Sequence, residues 1–379
     1  MIYLDNAATT LIKPEQVSSA VCQAMHTIGS YGRGAHTASL DAARIVYDAR
    51  CKAAALFGIP DPGRIAFTAN ATHSLNIAIK GVLQAGDHVI TTSLEHNSVL
   101  RPLYEMEERG CELTILPCSS NGSIDWSEAE KNIKSNTKAI LCTHASNVTG
   151  MISDLKKVSE ICRKFDLLFI LDAAQTAGVL PINAVELGID ILCFTGHKGL
   201  MGPQGTGGIY IREGISVSPL YTGGTGYDSF SKLQPADMPA HLEAGTMNVH
   251  GIAGLLAALT FIEQTGVTEI FQKEKHLADI FYQGIRIIPG IRIYGDIHSE
   301  RCAIVSINIG DVDSAIISAE LEERFQILTR PGAHCAPLLH PYFGTQNQGM
   351  VRFSFGFYNS EKEVAEAVRA VGILAEDFV

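Results

Sequence analysis

Short apolar runs recur along most of the chain, each closing on a cluster of small or polar residues before a stretch with helical apolar spacing. The runs at 65–68, 88–92, 113–116, 138–143, 167–171, 191–194 and 208–211 read as buried strands. Helical spacing follows at Pro14–Glu15 onward, at 41–57, at about 73–83, after Ser98 and at about 153–164. Such β/α alternation predicts an α/β fold, a mainly parallel sheet with helices on both faces. A helix rich in small residues follows Gly251, and another at about 268–286 crosses to a smaller α+β domain. There 302–309 and 351–355 alternate like sheet strands, and 361–375 forms the last helix. The expected division is a large domain over 14–257, with 1–13 and 258–379 forming the small one.

Open sheets of this kind bind ligands beyond the carboxyl ends of their strands. Thr72, His96, Asn147, Asp172, Gln175 and Lys198 each fall just after a predicted strand, so they are expected at one edge of the sheet. The small-residue turn before the 73–83 helix points free backbone N–H groups at an anion, with Thr72 as N-cap or phosphate ligand. The glycine-rich loop 30–36, with an arginine and a histidine, suits either a ligand or a plain surface connection.

Composition narrows the function. The chain has 379 residues, 46% hydrophobic and 18% charged, as in an ordinary globular enzyme. Its net charge of −11, with no basic run, argues against nucleic acid or an anionic membrane surface. No apolar run approaches a bilayer-spanning length, and no secretory pattern opens the chain. Nine cysteines without a CxxC pair suit a reducing cytoplasm, and all but one read as inert core residues. No metal site is expected.

The chemistry centres on 190–211, where a strand breaks into Thr195-Gly196-His197-Lys198 and a run of glycines. Burying a lysine ammonium is costly unless the amine is paired or altered. Condensation with an aldehyde cofactor such as pyridoxal 5'-phosphate removes the charge and anchors the cofactor; a solvated lysine in a glycine loop is the plain alternative. Asp172 suits a pyridine nitrogen and Gln175 the neighbouring phenolic oxygen. His96 alone reads as a loop histidine, but beside Asp172 and Lys198 it reads as a ring-stacking proton shuttle.

The chain resembles the class V aminotransferase branch of the fold-type I pyridoxal-phosphate enzymes, and within it the cysteine desulfurase and selenocysteine lyase group. The matching stretches are YLDNAAT at 3–9, RGAHTAS at 33–39, EHNS at 95–98, SNVTG at 146–150, DAAQ at 172–175, TGHK at 195–198, EAGTMN at 243–248, RPGAHCA at 330–336 and VRFSFGFYN at 351–359. The resemblance implies that Lys198 holds the cofactor and takes the substrate α-proton. It implies that Ala71, Thr72, Thr195 and His197 hold the phosphate, with Thr246 reaching in from the partner of a homodimer. Arg352 would clamp the substrate carboxylate, with Asn147, His36 and Arg330 nearby. Cys335 would attack the substrate sulfur, leaving L-alanine and a persulfide that passes to an acceptor protein; its cationic neighbours Arg330 and His334 favour thiolate.

RPGAHCA is similar to the loop of the second group of the family, usually R-x-G-H-H-C-A, but has Pro331 and replaces the first histidine with Ala333. The segment between Gly224 and Glu243 is also short for that group. The rival readings are a selenocysteine lyase acting on L-selenocysteine, a transaminase or epimerase on the same scaffold, and a cofactor-binding protein without catalysis.

Overall fold

The computed structural model describes residues 1–32, 34–296 and 298–379. Arg33, the first residue of the RGAHTAS match, lies outside them.

In chain order the strands are β1 (Ile2–Tyr3), β2 (Ile65–Thr68), β3 (His88–Thr92), β4 (Glu112–Leu116), β5 (Thr137–Thr143), β6 (Leu168–Asp172), β7 (Ile191–Thr195), β8 (Gly207–Ile211), β9 (Ile291–Tyr294), β10 (Ile304–Ile309), β11 (Ile327–Leu328) and β12 (Val351–Ser354). Seven of them form one sheet in the order β2-β8-β7-β6-β5-β3-β4. It is parallel except for β8, which runs antiparallel to both β2 and β7. Alternation of side chains sends successive residues of each central strand into different cores. Ile140, Cys142, Phe169, Leu171, Leu192 and Phe194 pack into one. Ala139, Leu141, Ile170, Ile191 and Cys193 pack into another. Both faces are covered, which is why these strands read as continuous apolar runs. Each fully buried Leu, Ile or Phe contributes about 1.5–3 kcal/mol.

Register levels the ends of the central strands. Thr143 lies opposite Asp172, and Asp172 opposite Cys193, so Thr195 extends two positions further along β7. This places the residues after β5, β6 and β7 along one edge.

Two helix starts differ from the sequence expectation. The first helix after β2 is Ala71–Val82, capped by Asn70, whose Oδ1 accepts from His73 N at 2.9 Å. Thr72 is therefore inside the first turn and is not the cap. Asn is the stronger capping side chain and sits one turn ahead of the apolar face; such a cap contributes about 1 kcal/mol. The helix expected from 41 begins at Thr37 (Thr37–Leu56), because the His36 ring accepts from Ser39 N and starts the helix a turn earlier.

The remaining strands form a three-stranded antiparallel sheet, β12-β10-β9, and a parallel pair, β1-β11. Leu4 shares a core with Phe281, Val305, Ile307, Val351, Phe353 and Leu374, so the N-terminal segment packs with the C-terminal elements. The strand expected from 302 begins at Ile304, because Cys302 N donates to Gly150 O and docks that end against the large sheet's loops. Among the described residues no single helix is long and apolar enough to cross a membrane.

Candidate functional site

The edge set by strand register opens into a cleft of about 280 Å³. It is lined by Ala71 and Thr72 from the Ala71–Val82 helix, His96 and Ser98 before and within the Asn97–Glu108 helix, Asn147 after β5, Asp172 and Gln175 at the end of β6, and Thr195, His197 and Lys198 at the end of β7. Arg330 and Arg352 enter from the C-terminal elements.

Lys198 lies inside the protein body yet keeps surface on the cleft, and among the described residues no acceptor or carboxylate pairs with its Nζ. Burial holds its amine down at about 8; Asp172 opposes this and Arg352 and Arg330 reinforce it. Asp172 Oδ1 accepts from Ala174 N at 2.9 Å, and burial raises its carboxyl. A cation placed against Asp172 would reverse that shift. Gln175 donates one amide hydrogen to Ala7 O at 3.1 Å, leaving the other donor and the carbonyl to face a ligand.

At the other end of the cleft the hydroxyls form a chain. Thr72 Oγ1 bonds Ser98 Oγ at 2.7 Å, and Ser98 Oγ bonds His96 Nδ1 at 2.8 Å. His96 Nδ1 also accepts from Ser98 N at 3.0 Å, which puts the proton of the neutral ring on Nε2. Burial, then the nearby cations Lys198, Arg330, Arg352 and Arg101, hold the imidazole down at about 4, so it is neutral at working pH. His197 is likewise depressed to about 4, mainly by burial, and its Nδ1 bonds Thr9 Oγ1 at 3.1 Å. Two neutral rings, two hydroxyls and the amide end of a helix with anion-binding polarity form a cradle suited to a phosphate.

Arg352 is fully buried. Its Nη1 donates to Asn147 O at 2.9 Å and its Nη2 to Asp5 Oδ1 at 2.6 Å, while Nε has no partner. Arg330 pairs backbone to backbone with Arg352, and among the described residues no carboxylate lies within ion-pair distance of its guanidinium. A small carboxylate would fill this cationic corner.

Cys335 stands at the rim on a loop held at several points. Its carbonyl accepts from Asn97 N at 2.7 Å, and the preceding carbonyl, of His334, accepts from Asn147 Nδ2 at 2.7 Å. His334 and Cys335 both have left-handed backbones (φ 50° and 58°), a conformation costing roughly 1 kcal/mol for a residue with a Cβ. Arg330 Nη2 lies 3.8 Å from Cys335 Sγ. Burial keeps His334 neutral, so the expected second cation beside the thiol is absent. The other expected residues fall elsewhere. His36 is an exposed helix cap outside the cleft. Thr246 is exposed in a separate hollow of about 350 Å³ with Tyr31, Tyr227 and Met247.

Sequence reasoning passed over Ser98, which links Thr72 to His96, and Asp5, which pairs Arg352. It also passed over Glu95. The EHNS and LDNAAT stretches contained all three, but only tertiary contact distinguishes their roles. Glu95 is fully buried beneath the cleft, its Oε1 accepting from Thr92 Oγ1 at 2.7 Å and Thr143 N at 3.1 Å, its Oε2 unpartnered. Burial raises its carboxyl to about 8, so the folded chain keeps a proton that the unfolded chain releases near 4.5. Stability is therefore lost as pH rises from 4.5 toward 8. Glu95→Gln is expected to be near neutral at pH 5 and to stabilise by roughly a few kcal/mol at pH 8. Denaturant midpoints at the two pH values check this; an equal effect at both means Glu95 is ionised in the fold.

With this geometry in view, the protein-family model described as Aminotransferase class-V matches residues 2–366. The chain is similar to a probable cysteine desulfurase of Pyrococcus abyssi, 32% identical over 374 residues, covering 96% of this chain and 92% of that protein. It is also similar to the cysteine desulfurase IscS of Cronobacter sakazakii, 30% identical over 388 residues, covering 98% and 91% of the two chains. The solved apo structure of a cysteine desulfurase from Thermococcus onnurineus NA1 superposes with a TM-score of 0.94 at 32% identity, covering 100% of this chain and 95% of that one.

Proposed function

The chain belongs to the aminotransferase class-V family, and on that premise we propose that it is a pyridoxal-phosphate-dependent cysteine desulfurase, converting L-cysteine to L-alanine and carrying the sulfur on Cys335. The observation that carries this reading is the combination of a Lys198 amine inside the cleft, unpaired among the described residues, with a Cys335 thiol fixed at its rim beside Arg330.

The cleft's donors fit the cofactor. Thr72, His197, Thr195 and the first amides of the Ala71–Val82 helix would hold its phosphate, Asp172 its ring nitrogen and Gln175 its phenolic oxygen, with His96 against the ring. When bound, the cofactor supplies an electron sink for charge left on the substrate carbon. Arg352, with Arg330, orients the amino acid through its carboxylate. Lys198, held near neutrality of its amine, takes the α-proton and returns protons to carbon, one to the carbon that becomes alanine's methyl group and one to the α-carbon, the second matching the proton that the Cys335 thiol gives up as it becomes the nucleophile. Cys335 Sγ attacks the substrate sulfur: an S–S bond forms, the C–S bond breaks, and its electron pair stays with the alanine carbon.

Thr246 and the hollow around it suit a second copy of the chain, which makes a homodimer part of the proposal. The persulfide would pass to an acceptor at the exposed rim. The test is product analysis of purified protein given L-cysteine and a reductant. Alanine and sulfide are expected in equal amounts; a 2-oxo acid without alanine would assign the chain to transamination.

A further inference from the structure

Three residues of the cleft wall are joined by two short contacts that the proposed chemistry leaves unused. Thr72 Oγ1 lies 2.7 Å from Ser98 Oγ, and Ser98 Oγ lies 2.8 Å from His96 Nδ1. The chain therefore runs from the hydroxyl assigned to the cofactor phosphate to the imidazole assigned to the cofactor ring. The Asn97–Glu108 helix does not require it. His96 already caps that helix by accepting from Ser98 N at 3.0 Å, so the Ser98 hydroxyl is surplus to the cap.

Each hydroxyl carries one hydrogen and can also accept at its oxygen. The cap makes Nδ1 an acceptor, so the neutral ring offers no hydrogen on that side. Both contacts are filled in one direction only, with Thr72 donating to Ser98 and Ser98 donating to Nδ1. A phosphate dianion has only acceptor oxygens and draws the Thr72 hydrogen to itself. Thr72 Oγ1 and His96 Nδ1 then share one hydroxyl hydrogen, that of Ser98. Two oxygens 2.7 Å apart with no hydrogen between them repel, which pulls the Ser98 hydrogen toward Thr72. Nδ1 keeps a single donor, the Ser98 N–H, and its lone pair becomes more basic.

We propose that Ser98 is a positioning residue of the cofactor site, a hydroxyl switch that passes phosphate binding at Thr72 on to the imidazole of His96. The inference rests on the assignment of Thr72 to the phosphate and His96 to the ring, and it deepens that reading: the contact that anchors the cofactor also sets how readily the histidine accepts a proton. The charged groups facing the ring are Lys198, Arg330, Arg352 and Arg101, all cations, which reinforce burial in holding it at about 4. An anion at Thr72 offsets them directly as well, but that effect does not depend on a hydroxyl at position 98.

The test follows His96 by nitrogen NMR of the full chain labelled on its histidines, its signal identified by its loss in His96→Asn. Sulfate is the probe, at ionic strength matched with chloride, because it is a tetrahedral dianion that only accepts hydrogen bonds and does not titrate over the range. At pH 7 the Nδ1 signal should move on sulfate addition in wild type and stay nearly still in Ser98→Ala. The proton affinity of the ring should rise by about 2- to 10-fold more in wild type than in Ser98→Ala, the worth of one hydrogen bond. Ser98→Thr keeps the hydroxyl and should match wild type, whereas Thr72→Val should match Ser98→Ala. The His197 ring lines the same cleft but bonds Thr9 rather than this chain, so its signal reports the arrival of sulfate independently. Equal responses of His96 in wild type and Ser98→Ala, with His197 responding, overturn the proposal. No response at either ring overturns the phosphate assignment and the inference with it. If Ser98→Ala does not fold, Thr72→Val decides. Failure of the desulfurase reading itself would appear in the products from L-cysteine and leave these signals intact.

Discussion

Lys198→Ala is expected to abolish turnover of both L-cysteine and L-selenocysteine, with kcat falling by about 10⁴-fold or more, since one side chain serves as both covalent anchor and proton carrier. Among the described residues the amine has no hydrogen-bond or ion-pair partner, and burial keeps it at about 8, so a fraction is uncharged and nucleophilic near neutral pH. His96 and His197 do not replace it as a base, because both are held at about 4 and their free ring nitrogens sit at the phosphate and ring positions of the proposed site. The measurement is paired: alanine production, and the mass of the residue 195–205 peptide after borohydride reduction of cofactor-loaded protein. Wild type should carry the cofactor's mass on Lys198, and the variant should carry none. A reducible adduct on another lysine would remove Lys198 from the centre of the account.

Cys335→Ala separates the two sulfur-group substrates. On L-cysteine a loss of at least about 100-fold is expected, because the thiol is the nucleophile that receives sulfur. On L-selenocysteine the loss should be much smaller, because selenium leaves carbon more readily. The cofactor spectrum should not change, since Cys335 stands at the rim and none of the cleft's lining groups bonds its side chain except Arg330. The loop should keep its position as well. It is held through backbone carbonyls by Asn97 N and Asn147 Nδ2, and alanine occupies the left-handed conformation at a similar cost to cysteine. A mass increase of one sulfur on Cys335 after incubation with L-cysteine completes the test, and equal loss on both substrates would favour a structural thiol.

The loop departures now have a physical reading. Pro331 lies between Arg330 and Gly332, whose backbone groups pair with Arg352 in β12 and with Met350 just before it, so its missing N–H is not needed by that pairing. Ala333 is exposed and uses its carbonyl to accept from His340 Nε2 at 3.1 Å, which ties the loop to the following helix without a second histidine. His334 is turned inward onto Met350 O at 3.0 Å. Among the described residues the thiol is thus left with one cationic neighbour, Arg330.

Much of this was present in the order of residues. Strands buried on both faces are mostly apolar and end where polar residues gather, so Asp172, Thr195 and Lys198 announced the productive edge without any contact being known. Asn70 and Glu95 mark the boundary of that legibility. A cap is assigned by which oxygen meets which N–H, and a buried acid looks like any surface acid until the chain closes over it. Lys198 is far along the polymer from Cys335 and Arg352, and their meeting depends on β12 placing Arg352 against Asn147 and on Asn97 seating the cysteine loop. Local periodicity follows from side-chain solvation and is written in the sequence. The pairing of distant polar groups depends on which surfaces are shut off from water together, and only the packed structure decides that.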